Sequence, residues 1–262
     1  MMSGFTINYR APGHPVPDTL YFPELDDHII NQIRRTASFY EEALLEYLYY
    51  AVPHGGIFLD VGANIGNHTL FFSRYMADRV LAIEPQPETF SVLQWTVSKN
   101  MLENVACLSY AVSSEKGIGV LSLPDGFEKN IGCFTLLPCD KSTRNVEVPV
   151  KTLDSLFVDT LAGSEMPVRL IKIDVEGYEH RVLKGARELL NCHHPDIVVE
   201  AKNDRVLKDI RQTLSPLGYR VLGRFNATPT YHLSCRSYLR CAACRLNRKV
   251  GGFFRKVISL AK

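Results

Sequence analysis

Four short apolar segments, each ending at or next to an acidic residue, constrain the fold of this chain more than any other feature. The acids are Asp60, Glu84, Asp174 and Glu200, and stretches with helical spacing of apolar residues lie between the segments. Near-continuous apolar strands that alternate with helices are typical of a mostly parallel sheet covered on both faces. Ligands bind such sheets outside the carboxyl ends of the strands. We therefore predict that the four acids lie near one site.

Hydrophobic periodicity and the positions of Gly and Pro give the coarse order of elements. We predict helices over 39–50, 68–76, 87 to about 100, 178–190 and 204–215. We predict strands over 57–61, 79–84, 104–110, 169–174, 196–201, 219–223 and 230–233. Residues 1–30 contain four prolines and are predicted to be irregular.

Three regions are expected along the chain. Residues 1–52 form an N-terminal segment with a helix, and 53–234 form the main domain, which carries a β-rich, hairpin-like insertion at about 113–150. Residues 235–262 form a basic tail with eight Lys or Arg and no acid; since the whole chain carries +2, the residues before Cys235 sum to −6. The chain is 46% hydrophobic, which is ordinary for a soluble globular protein.

The turn after the first strand of the main domain indicates a nucleoside ligand without phosphate. Gly62 and Gly66, with Asn64 between them, give the spacing G-x-x-x-G rather than the dinucleotide fingerprint G-x-G-x-x-G. Asp60 would repel a pyrophosphate and suits a cationic ligand. Glu84, after the next strand, is placed to accept hydrogen bonds from ribose hydroxyls. S-adenosylmethionine has the ribose, the positive charge and no phosphate; a plain tight turn is the alternative.

Four motifs together resemble the FkbM-type family of S-adenosylmethionine-dependent methyltransferases: "FLDVGANIGNHT", "AIEPQPETF", "AVSSEKG" and "IKIDVEGYEHRVLKGA". The resemblance covers about residues 38–201 and implies a Rossmann-like class I methyltransferase fold with a seven-stranded sheet. It also implies O-methylation of a hydroxyl on a saccharide, glycolipid or natural product. The cofactor contacts that it implies come from Asp60, Gly62, Asn64, Gly66, Glu84, Tyr110 and Ala111. It places Asp174 and Glu176 at the transferred methyl and the acceptor.

Methyl transfer to a hydroxyl needs a group that accepts the hydroxyl proton. Asp174 and Glu176 are the candidates for this general base, and His180 and His68 are weaker ones. A divalent cation is a less favoured alternative, held by oxygens of Asp174, Glu200 and Asn203.

The remaining expectations concern partners and location. Glu41 and Glu42 begin a segment that is expected to cover the cofactor, and the insertion residues Asp125, Phe127, Asn130 and Phe134 lie where an acceptor could bind. Zinc at Cys235, Cys241, Cys244 and His232 is disfavoured because the usual fourth-ligand spacing is absent. The tail could contact an anionic membrane surface. No nucleic-acid motif is present, and the cytoplasm is expected. N-methylation, a small-metabolite acceptor and a non-catalytic binding protein are the alternative functions.

Overall fold

The computed structural model describes residues 2–125, 134–137 and 142–236. The strands in this part of the chain are β1 (Gly4–Tyr9), β2 (Asp18–Pro23), β3 (Ile57–Val61), β4 (Arg79–Ile83), β5 (Val105–Leu108), β6 (Ala111–Val112), β7 (Gly117–Pro124), β8 (Ser142–Lys151), β9 (Val168–Ile173), β10 (Asp196–Glu200), β11 (Arg220–Phe225) and β12 (Thr230–Ser234). The helices are α1 (His28–Thr36), α2 (Glu42–Ala51), α3 (Asn67–Tyr75), α4 (Pro87–Lys99), α5 (Leu153–Leu161), α6 (Glu179–Lys184), α7 (Arg187–His193) and α8 (Asp204–Leu214).

Seven strands form the central sheet, in the order β11-β12-β10-β9-β3-β4-β5. The pairs β10-β9, β9-β3, β3-β4 and β4-β5 are parallel, and β12 pairs antiparallel with both β10 and β11. The predicted mostly parallel, Rossmann-like sheet is therefore confirmed. Its chain order reverses between β3 and β9, which is where such sheets bind ligands.

The strand β3 is buried over its whole length, and its side chains pack into the core on both faces of the sheet. Ile57, Leu59 and Val61 contact one hydrophobic cluster, while Phe58 contacts the other, as the alternation of side chains along a strand requires. This two-sided burial explains why the sequence of β3 is almost entirely apolar, with Asp60 as its one polar residue. It also means that a polar residue within β3 needs a partner inside the protein.

The N-terminal region is more regular than the sequence suggested, and the prediction of an irregular segment over 1–30 was wrong. β1 and β2 form an antiparallel hairpin, and α1 follows it. Alternate residues of this hairpin, including Ile7, Tyr9, Leu20 and Phe22, are buried in the core. Three of the four prolines fall between the strands and the last ends β2, so they do not interrupt the pairing.

Two further differences from the predicted elements concern helices. The predicted helix over 178–190 is divided into α6 and α7, because Gly185 packs against the backbone of Ser113. A Cβ at Gly185 would lie 2.1 Å from the Ser113 carbonyl oxygen. The Gly185 carbonyl accepts a hydrogen bond from the Asp154 N–H at 2.9 Å instead of continuing the helix. The helix α5, which carries Asp154, was not predicted.

The β-rich insertion is present as a three-stranded sheet in the order β6-β8-β7. β7 and β8 form its antiparallel hairpin, and β6 pairs parallel with β8. Of the predicted acceptor-binding residues in the insertion, Phe127 and Asn130 lie outside the described residues. Most of the basic tail, including Cys241 and Cys244, also lies outside them.

We expect Gly62→Ala to destabilise the protein by about 2 kcal/mol or more, as for a residue strained at positive φ that is also overpacked. Gly62 has a φ of 76°, and a Cβ there would lie 1.8 Å from the carbonyl oxygen of Asp174. Urea unfolding would measure the change. Gly117→Ala is the matched control, because a Cβ at Gly117 meets no atom within 4 Å. Equal unfolding midpoints for the two variants would contradict the close approach of the loop after β3 to the segment after β9.

Candidate functional site

A cavity of about 520 Å³ opens at the carboxyl ends of the parallel strands. Seven of the nine site residues predicted from the sequence line it: Gly62, Asn64, Glu84, Tyr110, Ala111, Asp174 and Glu176. The other two, Asp60 and Gly66, do not line it. The strand ends meet there because the last residues of β4 and β9 are both in register with the last residue of β3.

Glu84 forms one end of the cavity and is almost fully buried. Each of its carboxylate oxygens accepts one backbone hydrogen bond, from the Asn64 N–H at 2.9 Å and from the Gln86 N–H at 3.0 Å. Burial raises the pKa of Glu84 to about 7, although these two bonds and the charge of Lys172 oppose the shift. Each oxygen keeps a further lone pair for a ligand donor.

Asp60 lies beneath the cavity rather than in its wall. Its side chain is fully buried; one oxygen accepts a hydrogen bond from the Thr69 hydroxyl at 2.6 Å, and the other lies 3.2 Å from Nζ of Lys172. The reason is register, because Asp60 pairs with Ala82 and Lys172, whereas Glu84 and Asp174 lie two residues further along their strands. The structure therefore shows Asp60 within the sheet, and a direct contact with a ligand stays a prediction.

Lys172 is the cation that balances this buried region. Its ammonium donates to the Gly62 carbonyl at 2.6 Å and also lies 3.7 Å from the nearer oxygen of Asp174. Burial alone would lower the pKa of Lys172, but the charges of Asp60, Asp174 and Glu41 outweigh it and raise that pKa above its ordinary value.

The loop after β3 is shaped by left-handed backbone conformations. Gly62, Asn64 and Gly66 have φ values of 76°, 50° and 89°. The Asn64 side-chain oxygen is buried and has no hydrogen-bond partner among the described residues. A Cβ at Gly66 would lie 2.9 Å from Cδ1 of Leu93, so Gly66 allows α4 to pack against the loop. Gly66 therefore supports the loop from behind.

The opposite end of the cavity is formed by Asp174, Glu176, Glu200 and Lys202. Glu176 has a φ of 55° and forms an ion pair with Lys202. Burial, together with the charges of Asp174 and Glu176, raises the pKa of Glu200. One oxygen of Glu200 is buried without a hydrogen-bond partner among the described residues. The place of Glu200 after an apolar strand predicted that it lies near the site, although the only role suggested for it was that of a metal ligand.

Residues of the N-terminal segment contribute to the cavity wall. His28, Ile29 and Tyr40 line it, and the sequence did not single them out. Beside them, Glu41 receives a hydrogen bond from the Asn226 amide at 2.7 Å and lies 3.2 Å from Nε2 of His68. Burial opposes its ionisation, but His68, Lys172 and Asn226 together hold the pKa of Glu41 below its ordinary value.

The weaker predicted candidates are placed elsewhere. His68 and His180 do not line the cavity, whereas Phe134 of the insertion does and Asp125 does not. His232 is fully buried, and its ring nitrogens lie 3.0 Å from the Tyr47 hydroxyl and 3.1 Å from Asp196. Both ring nitrogens are thus engaged, which argues against His232 as a zinc ligand.

In the part of the chain that the structure describes, no group of three or more His, Cys, Asp or Glu residues is arranged to hold a metal ion. Nor is any helix in those ranges both long enough and apolar enough to cross a bilayer.

Comparison with known proteins identifies the family. The domain described as the methyltransferase FkbM domain matches residues 60–221, more than half of the chain. The chain belongs to the FkbM methyltransferase family. The match includes the loop after β3, the residues that follow β4 and the segment after β9, all of which contribute to the cavity described above.

Relatives of this FkbM methyltransferase are distant. Methyltransferase sdnD of Sordaria araneosa is 28% identical over 204 residues, which are 66% of this chain and 76% of that protein. Hexuronic acid methyltransferase AglP of Haloferax volcanii is 27% identical over 183 residues, covering 67% and 68% of the two chains. The crystal structure of methyltransferase FkbM from Methylobacillus flagellatus has a TM-score of 0.50 and 19% identity. That match covers 68% of this chain but only 43% of the other, and it supports the fold alone.

We expect Lys172→Met to lower the free energy of unfolding by about 3–5 kcal/mol, as for other buried ion pairs that lose one partner. The cause would be the buried Asp60 carboxylate, left without its cation. Chemical denaturation would measure the loss. The double variant Lys172→Met/Asp60→Asn should be more stable than Lys172→Met alone, because no unpaired charge remains. A Lys172→Met protein as stable as the wild type would show that the pair does not hold the two strands.

Proposed function

We propose that this protein transfers a methyl group from S-adenosylmethionine to a hydroxyl of a saccharide-containing acceptor. The observation that carries the proposal is the cavity itself, which is lined by both Glu84 and Asp174, two residues of the FkbM methyltransferase domain. The relative named hexuronic acid methyltransferase supports a saccharide as the class of acceptor, and the charge of the sugar that this chain accepts depends on its own residues.

The residues present fit an adenosyl ligand. Glu84 is held by two backbone N–H groups and still has lone pairs for the two ribose hydroxyls. Tyr110 and Ala111 line the cavity beyond β5 and would lie near the adenine. The Lys151 ammonium lies 4.5 Å from the centre of the Tyr110 ring. This cation–π contact helps to fix the orientation of the ring. Gly62 and Asn64 would contact the methionine part.

The chemistry of transfer is mainly alignment. When bound, S-adenosylmethionine supplies an electrophilic methyl group on a sulfonium. The chain must hold the acceptor hydroxyl in line with that methyl and receive its proton. Asp174 lines the cavity just after β9 with its side chain 42% exposed, and the Lys172 ammonium lies 3.7 Å from its nearer carboxylate oxygen. Asp174 is therefore the preferred proton acceptor, and Glu176, which is paired with Lys202, is the second candidate.

S-adenosylhomocysteine is the product form of the cofactor. Its affinity should increase about tenfold between pH 6 and pH 8, because Glu84, with a pKa of about 7, must ionise for tight binding. Ribose hydroxyls donate to the ionised Glu84 carboxylate, so binding favours loss of its proton. Isothermal titration calorimetry would measure the affinity at each pH.

Two controls accompany this titration. Glu84→Gln should bind the ligand more weakly and show no change with pH in this range. NAD should not bind, because the loop after β3 has the spacing G-x-x-x-G rather than the dinucleotide fingerprint, and because the Asp60 carboxylate beneath that loop would repel a pyrophosphate. A wild-type affinity that is the same at both pH values would remove Glu84 from the ribose site.

Mass spectrometry of cells that lack the protein should show the loss of a glycan or lipid species that is 14 Da heavier than its precursor. This difference is the mass of one CH₂. Restoring the wild-type gene should recover the species, whereas Asp174→Asn should recover less than about a tenth of it, a typical loss for a missing proton acceptor. The purified Asp174→Asn protein should bind S-adenosylhomocysteine like the wild type. Full recovery of the species by Asp174→Asn would show that Asp174 takes no part in the chemistry.

A further inference from the structure

We propose that the acidic end of the cavity, formed by Asp174, Glu176 and Glu200, selects acceptors with a positively charged or neutral group beside the reacting hydroxyl and rejects a carboxylate or phosphate there. This inference rests on the methyltransferase function proposed above. It assigns to Glu200 a role in acceptor specificity.

The order of strands places Glu200 on the acceptor side of the cavity. From Glu84 to Glu200 the strands run β4-β3-β9-β10, and neighbouring strands lie about 4.8 Å apart, so the two acids are separated by about 14 Å across the sheet. In an adenosyl sulfonium the sulfur is attached to the ribose through a single methylene group. A ribose held at Glu84 therefore leaves the sulfur near β3 and β9, and Glu200 faces whatever lies beyond it.

The charges at this end are only partly balanced. Lys202 is the lysine among the described lining residues, and it forms an ion pair with Glu176. The Lys172 ammonium lies beneath the wall and is closer to Asp60 than to Asp174. Glu200 has a buried oxygen without a hydrogen-bond partner among the described residues. An ammonium or hydroxyl of the acceptor could supply the missing donor.

The electrostatic environment of Glu200 agrees with this geometry. Several groups surround it: Asp174 and Glu176 after β9, Glu179 on α6, Lys202 after β10, and Tyr40 before α2. Burial and the carboxylates raise the pKa of Glu200, while Lys202 opposes the rise. Because the raised pKa favours the protonated form of Glu200 in the empty cavity, a positive group from the acceptor would favour loss of that proton, and a further anion would oppose it.

The test uses simple sugars as probes of the protein saturated with S-adenosylhomocysteine. Glucosamine, glucose and glucuronate share one ring and differ in charge, and ligand-observed NMR at about pH 7 would give their dissociation constants. We expect glucosamine to bind at least about fivefold more tightly than glucuronate, with glucose between them, from the Coulomb interaction near a protein surface. Glu200→Gln should reduce the glucosamine-to-glucuronate preference by at least about threefold.

Glu103→Gln is the matched control. Glu103 is exposed and precedes β5, at the sheet edge opposite the cavity, so its loss should leave the preference unchanged. Failure of the wild-type protein to bind S-adenosylhomocysteine would reject the proposed function and this inference with it. If the cofactor product binds but glucuronate binds as well as glucosamine, or neither sugar binds, only the inference is overturned. An unchanged preference in Glu200→Gln would exclude Glu200 as the selecting residue.

Discussion

The site depends on one buried interaction, the ion pair between Lys172 of β9 and Asp60 of β3. The same ammonium that meets Asp60 also donates to the Gly62 carbonyl and lies near Asp174. It thereby joins two adjacent strands and the loop that follows β3. Because these charges lie where water does not reach, neither partner is tolerated alone. The position of Asp174 in the cavity wall follows from this pair, since Asp174 is two residues beyond Lys172.

The two ends of the cavity differ in how their carboxylates are stabilised. Glu84 is stabilised by two backbone hydrogen bonds rather than by an ion pair with any of the described residues that line the cavity. Glu200 is crowded by other carboxylates and carries an oxygen without a hydrogen-bond partner among the described residues. One end is thus suited to hydroxyl donors held in a fixed direction. The Glu200 end is suited to ligand groups that donate a hydrogen bond or carry a positive charge.

Much of the fold and of the site could be predicted from the sequence because strand ends and glycine positions are local signals. The apolar runs before Glu84, Asp174 and Glu200 predicted three acids at one sheet edge, and all three line the cavity. The depth of Asp60 could not be predicted, because it depends on register between strands that are distant in sequence.

Other features also depended on tertiary contacts. The N-terminal hairpin was missed because its short alternating strands are interrupted by a proline-rich connection, which reads as irregular chain. The break between α6 and α7 depends on contact of Gly185 with Ser113, which helical spacing does not reveal. Tyr40 adjoins the segment that was expected to cover the cofactor, but its own place in the cavity wall depends on how that segment packs and not on residue spacing.

The two backbone hydrogen bonds to Glu84 have a consequence for how a ligand is received. They connect the loop after β3 with the turn after β4, so both loops are ordered when the protein folds. A ligand that enters this end meets a rigid surface and loses little affinity to the ordering of the chain. Binding of the proposed adenosyl ligand should therefore resemble the docking of a rigid body, with the two loops nearly superimposable in the free and bound protein.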